Sequence, residues 1–509
     1  MGKFIIYQVL TRLWGKGKFS EFDPLTMAYF KSLGVSHVWY TGVVRHATTV
    51  SAEGCPASDR QIVKGDAGSP YAITDCYDVN PYLSDDPADR MREFEALLKR
   101  THDAGLKAVM DFVPNHVSRD YGKVGMARPD VAPLGADDDP TVHWRPENDF
   151  YYYPGQPLKL PFDVQTYYEN PAKASGNCFS PSPSVSDWYE TIRLNYCDFH
   201  TRTWDRMYDI VRFWCGKGVD GFRCDMVEMV PWQFFLWLIG KVKEEFPDVT
   251  FIAEVYRKEL YKKYIDEVGF DFLYDKSGFY DSVRSVVEGH GTARSLTWNW
   301  QSLGGLQPRM LNFLENHDEQ RFASDFFAGD ARRTFASLGA GIFLNKAPFM
   351  LYFGEEIGER GMDAEGFSGR DGRTSIFDWW RVPSIGRLVE YIHKNEGLAS
   401  EEEALLVKWR RFLNIAVSVP AVASGKTFDL CYCNYDSPGF KPDRHFAFLR
   451  GGDGGGTWLF VCNFSCETAG ISIRVPAEAI SFLGIKNLDP EARIEVEVSS
   501  DDCAIIRLN

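Results

Sequence analysis

The 509-residue chain has no run of about 18 apolar residues, so nothing in it reads as a membrane span. It has no excess of basic charge. Lys and Arg number 56 against 71 Asp and Glu, and the formal net charge of -15 argues against nucleic acid or an anionic membrane surface as a partner. The 11 cysteines are odd in number and scattered. Cys431/Cys433 and Cys462/Cys466 lack the two-residue spacing of a zinc knuckle and have no histidine beside them, so free thiols in a reducing cytoplasm are expected. The apolar run within Met1–Arg12 is short, lacks a small-residue cleavage site and alternates like a strand, so it is read as no signal peptide and the setting as cytoplasmic. There is no solenoid repeat, and no low-complexity tract beyond Gly451–Gly456, which reads as a hairpin turn.

What is present is 44% hydrophobic and 15% aromatic residues, the composition of a globular chain with many flat apolar faces for a neutral ligand. Helical patterns ending in glycine and followed by short apolar strands recur along the chain. Strands are expected at 4–10, 34–40, 106–113, 220–225, 250–255, 270–274, 310–314 and 347–353. Eight such strands with intervening helices predict an α/β fold, a closed (β/α)8 barrel spanning 1–116 and 199–419. The repeat pauses over 117–198, about 80 residues of Pro, Gly, Asp and Ser clusters, too long for a simple loop and therefore read as an inserted subdomain. From 420 to 509 short alternating runs separated by Gly, Asp and Pro predict a C-terminal antiparallel β-sandwich.

Polar residues gather at the strand ends. Arg223 and Asp225 lie two apart, on one face of the fourth strand, where a guanidinium is expected to keep a nucleophilic carboxylate ionised. Alone, such a pair is most often structural. Asp111 and His116 end the third strand, Glu254 the fifth, and Glu315-Asn316-His317-Asp318 the seventh. Carboxylates from several strand ends of one barrel, with His and Arg beside them, are read as catalytic.

These segments, with Ser69-Pro70-Tyr71, Tyr352–Gly358 and Gly372–Ser375, resemble in order and spacing the conserved regions of the α-amylase family, glycoside hydrolase family 13. The resemblance covers residues 4–415 and places the insertion after strand three, where that family carries one. It implies a retaining α-glucan or maltooligosaccharide hydrolase: Asp225 the nucleophile, Glu254 the general acid/base, its protonated form favoured by burial near two aspartates, and Asp318 the third carboxylate. It further implies sugar contacts from His116, His317 and a stacking Tyr71, with Asp111 and Arg223 beside them. Glu228-Met229 stand where many members have Lys-His, and substrate contact on the leaving-group side is expected there. Met226 is none of the residues often found after the nucleophile. Asn115 matches a calcium ligand of the family, but Arg193 stands where an aspartate ligand often sits, so no metal or other cofactor is expected. Trp188, Tyr189 and Tyr151–Tyr153 are either sugar platforms or subdomain core. Transglycosylation or sugar isomerisation by the same site, and a non-catalytic glucan- or protein-binding barrel, are the competing readings; the last expects a lost carboxylate, and all three are present.

Overall fold

A computed structural model describes residues 3–123, 125–363, 369–452, 455–486, 488–490 and 493–509. Eight parallel strands close into a barrel: β1 Ile5–Leu10, β2 His37–Thr41, β3 Lys107–Phe112, β4 Gly221–Cys224, β5 Thr250–Ala253, β6 Phe272–Tyr274, β7 Met310–Phe313 and β8 Phe349–Tyr352, with β8 pairing back onto β1. All eight strands expected from the sequence are present, each within a few residues of its expected bounds. They are buried almost throughout because the helices cover the outside, which is why they read as continuous apolar runs.

The local chemistry explains the alternation. Helix α1, Pro24–Ser32, starts with proline in its first turn behind Asp23, whose carboxylate accepts the Thr26 N–H at 2.9 Å. Helix α2 spans Arg90–Asp103, and α3, Arg202–Lys217, buries Trp204, Met207, Ile210, Val211 and Trp214 at helical spacing. Gly218 at φ 101° ends α3; it lets the Val219 N–H turn back to the Trp214 carbonyl at 3.1 Å and aims the chain into β4. Helix α4, Trp232–Glu245, precedes β5.

Between β3 and α3 the insertion forms two small antiparallel pairs, His116–Ser118 with Thr191–Arg193 and Tyr152–Tyr153 with Ala172–Lys173. A separate small core of Leu158, Leu160, Tyr167, Ala172 and Tyr189 closes over Ile62 from the loop after β2. Tyr189 and Tyr152 are thus core residues rather than sugar platforms.

The C-terminal region holds a four-stranded antiparallel sheet and a two-stranded one, with Ala477–Leu483 as a helix that the alternating pattern did not announce. Within the Gly451–Gly456 tract, 453 and 454 lie outside the described residues, while Gly451 pairs with Thr457 across the hairpin. All 11 cysteines are free, and eight are buried.

Candidate active site

The C-terminal ends of β3, β4, β5 and β7 converge. Arg223 on β4 lies in register with Asp111 on β3 and Ile252 on β5. The ladder continues one residue past each strand: the Asp225 N–H reaches the Phe112 carbonyl at 2.9 Å and the Glu254 N–H the Cys224 carbonyl at 3.2 Å. Backbone pairing, not loop packing, therefore sets where both carboxylates start.

Arg223 is 1% exposed and forks between them. One Nη lies 2.6 Å from Asp225 Oδ1 and 3.7 Å from Asp111 Oδ1; the other lies 2.9 Å from Glu254 Oε2 and 3.8 Å from Asp318 Oδ2. One cation thus faces four carboxylates. Arg223 favours the Asp225 anion as expected, but it is shared with three further acids. Burial pushes Asp225 well above the usual carboxylate range, Arg223 opposes it, and Glu254, Asp318 and Asp111 push further. Asp111 is raised to about 6 by burial, against the pull of Arg223. Asp318 is raised to about 7 by burial and by Glu254, an effect that solvent moderates because its side chain is 42% exposed at the cavity mouth. Burial and the surrounding like charges thus favour the protonated forms of Asp225, Asp111 and Asp318.

The remaining expected residues complete the wall. Gln8 donates to His317 Nδ1 at 2.7 Å, leaving the His317 Nε2 proton for Asp318 at 3.1 Å and the Tyr71 oxygen at 2.6 Å. Tyr71 in turn donates to Asp111 at 3.2 Å. Burial keeps His317 neutral, and His116 likewise, lowered to about 3 by burial and by Arg193 and Lys64. Asp225, Glu254, Asp318, Tyr71 and His116 border a cavity of about 230 Å³ with Trp188, Met226, Tyr256 and Phe377. Trp188 packs 5.1 Å from the His116 ring, so of the aromatics left open it is the one at the cavity.

Two of the expected residues, Glu228 and Met229, do not line this cavity. Glu228 Oε2 accepts the Tyr256 N–H at 3.1 Å, and its Oε1 accepts the Arg257 N–H at 3.2 Å and Nε at 3.0 Å. Its acceptors are spent on the loop after β5. Met229 gives its backbone carbonyl to Arg193 at 3.0 Å and does not border the cavity.

Residues not singled out beforehand also matter. Trp39 donates to Asp111 at 3.0 Å, and Tyr256 donates to Glu254 Oε1 at 2.5 Å. Met226 adopts φ 46°, a left-handed conformation that costs about 1–3 kcal/mol in a non-glycine residue; it aims the Met226 N–H at Glu254 Oε2, 2.8 Å away.

The calcium position does not suit a cation. Arg193 donates to the Gly176 carbonyl at 2.8 Å and to the Met229 carbonyl at 3.0 Å, while Asn115 donates its own N–H to Gly176 at 3.0 Å. A guanidinium already fills the space between these oxygens, and an amide that turns its N–H toward the site is no ligand.

A family model for the alpha amylase catalytic domain matches residues 25–267. Over that stretch, close to half of its length, the chain is similar to the α-amylase family. A curated relative, Alpha-amylase 3 of Dictyoglomus thermophilum, is 24% identical over 83% of this chain and 78% of its own length. An alpha-1,4-glucan:maltose-1-phosphate maltosyltransferase of Picrophilus torridus is 25% identical, over 48% of this chain and only 32% of that longer protein. Among solved structures, a maltogenic alpha-amylase of Thermotoga neapolitana superposes with a TM-score of 0.63 at 21% identity, covering 99% of this chain and 96% of that one. At that identity the likeness shows a shared fold. The closed barrel is the fold that the resemblance implied.

Proposed function

We propose that this glycoside hydrolase cleaves α-glucosidic bonds of maltooligosaccharides or starch-derived fragments with retention of configuration. The observation that carries the reading is the Arg223 fork, which sets Asp225 and Glu254 on its two prongs at the floor of one cavity. Double displacement uses two carboxyl groups about 5–5.5 Å apart. Asp225 attacks the anomeric carbon while Glu254 gives its proton to the leaving oxygen. Water then gives a proton to Glu254 and displaces Asp225. Asp318, at the mouth, and the neutral His116 and His317 bind sugar hydroxyls, and Tyr71 offers its ring to the sugar.

The likeness to a maltosyltransferase supports a second reading, in which a sugar hydroxyl replaces water. Incubating wild type and Asp225→Asn with maltoheptaose, with products followed by chromatography, separates the two. Shorter sugars from wild type alone are expected. Longer ones indicate transfer, and untouched maltoheptaose overturns the α-1,4-glucan assignment. A reducing compartment is proposed from the free thiols; reaction of the unfolded chain with a thiol reagent should titrate all 11.

A further inference from the structure

Glu254 has both carboxylate oxygens occupied by donors. Oε2 takes the Met226 N–H at 2.8 Å, and Oε1 takes the Tyr256 hydroxyl at 2.5 Å. Glu254 and Tyr256 both border the cavity. Tyr256 sits on a segment with no helix or strand of its own, so something else must hold it. Glu228 does: its carboxylate accepts the backbone N–H groups of Tyr256 and Arg257 and the Arg257 side chain, three donors on two oxygens. Glu228 lies in the short turn Val227–Met229, directly after Asp225 and Met226. One stretch of six residues or fewer thus delivers the nucleophile, one donor to the acid/base, and the brace for the other donor.

We propose that Tyr256 and Glu228 are positioning residues for the acid/base step, with Tyr256 donating to Glu254 and Glu228 fixing the loop that aims it. The inference rests on the reading of Glu254 as acid/base. In the first step Glu254 O–H gives its proton to the glycosidic oxygen as the bond to the anomeric carbon breaks. The carboxylate left behind accepts the Tyr256 O–H, which favours the charged form. Water then returns a proton to Glu254 as its oxygen joins the anomeric carbon. Tyr256 keeps its own proton throughout, since burial and the charge of Glu254 both hold its hydroxyl protonated.

Tyr256→Phe removes one oxygen and keeps the ring. The descending limb of kcat/KM against pH is expected to move up by about one unit, because the protonated acid is favoured once the donor to its charged form is gone. Glu228→Ala should move the limb the same way, and the double variant should move it no further than Tyr256→Phe alone. A limb that stays in place in Tyr256→Phe, or two shifts that add, overturns the proposal. A second readout needs no turnover. The difference in Tm between wild type and Tyr256→Phe should open as pH rises through the titration of the cluster and vanish below it, since the lost hydrogen bond is strongest to the ionised carboxylate. A pH-independent difference overturns the proposal. An inactive wild type whose Tm difference opens with pH supports the pair while removing the glucosidase reading.

Discussion

Two buried clusters in this barrel share the same inventory, one arginine amid four carboxylates, and serve opposite ends. Around Arg223 stand Asp111, Asp225, Glu254 and Asp318; around Arg321 stand Glu315, Glu355, Glu356 and Glu359. In the second, the protein itself fills most acceptors. Glu315 takes Arg321 at 2.7 Å and the Phe322 N–H at 2.5 Å, Glu356 takes the hydroxyls of Tyr7 and Tyr29 at 2.7 Å each, and Glu359 takes Ser384 and the Gly361 N–H. Arg321 also holds the Phe353 carbonyl and Thr374 at 2.8 Å each. Burial raises Glu315, Glu355 and Glu356 there just as it raises Asp225. A raised carboxylate is therefore no marker of catalysis in this molecule. The difference lies in what the acids line: Asp225, Glu254 and Asp318 border the cavity of about 230 Å³ with Tyr71 and His116, and none of the Arg321 acids does, Glu359 lining a separate pocket instead.

The comparison breaks most sharply under substitution. Asp225→Asn should lower kcat by about 10⁴-fold or more while Tm holds or rises, because one buried like charge is removed. Glu315→Gln should do the reverse, costing about 3–5 kcal/mol of stability by leaving Arg321 buried without its partner while the folded enzyme keeps its kcat. If Glu315→Gln abolishes turnover at full stability, the division into working and structural clusters fails.

A smaller effect follows from titration. Asp318 and Asp111, at about 7 and about 6, lie above the unfolded value near 3.9, so the folded state binds their protons more tightly. Their stabilisation is complete below that unfolded value and is lost as pH rises through the folded ones. Asp318→Asn should therefore gain Tm relative to wild type between about pH 4 and pH 7 and hold that gain above, as thermal melts across the range will show. The exposure of Asp318 keeps the gain modest. The smallest effect is expected at the insertion: Arg193→Ala should lose about 1–3 kcal/mol, and a chelator should leave wild-type Tm unchanged. A chelator-induced fall in Tm would contradict the guanidinium's place there.

How much of this was legible follows from where each residue sits. Asp111, Arg223, Asp225 and Glu254 lie at strand ends, and the parallel register of the barrel brings them together without further information. His317 and Asp318 follow β7 in the same way. Tyr256 was missed, though the spacing rule that paired Arg223 with Asp225 also pairs Glu254 with the residue two on. Gln8 and Trp39 were hidden inside strands that read as core. Glu228 was assigned to substrate by position beside the nucleophile; only the path of the chain after β5 shows that its oxygens turn away. The charge balance at Asp225 was only partly legible because a two-residue pattern contains one arginine and one carboxylate, whereas the fold supplies three more acids to the same guanidinium.

The central claim, that Asp225 and not any acid of the Arg321 cluster bonds to sugar, is tested most directly by covalent trapping. Wild type is incubated with a fluorinated α-glucosyl fluoride that forms a glycosyl-enzyme quickly and releases it slowly, and the peptides are then mapped by mass spectrometry. The account predicts one added glycosyl unit, on the peptide and residue of Asp225. Turnover with no adduct and release of the β-anomer, or an adduct on any other carboxylate, contradicts it.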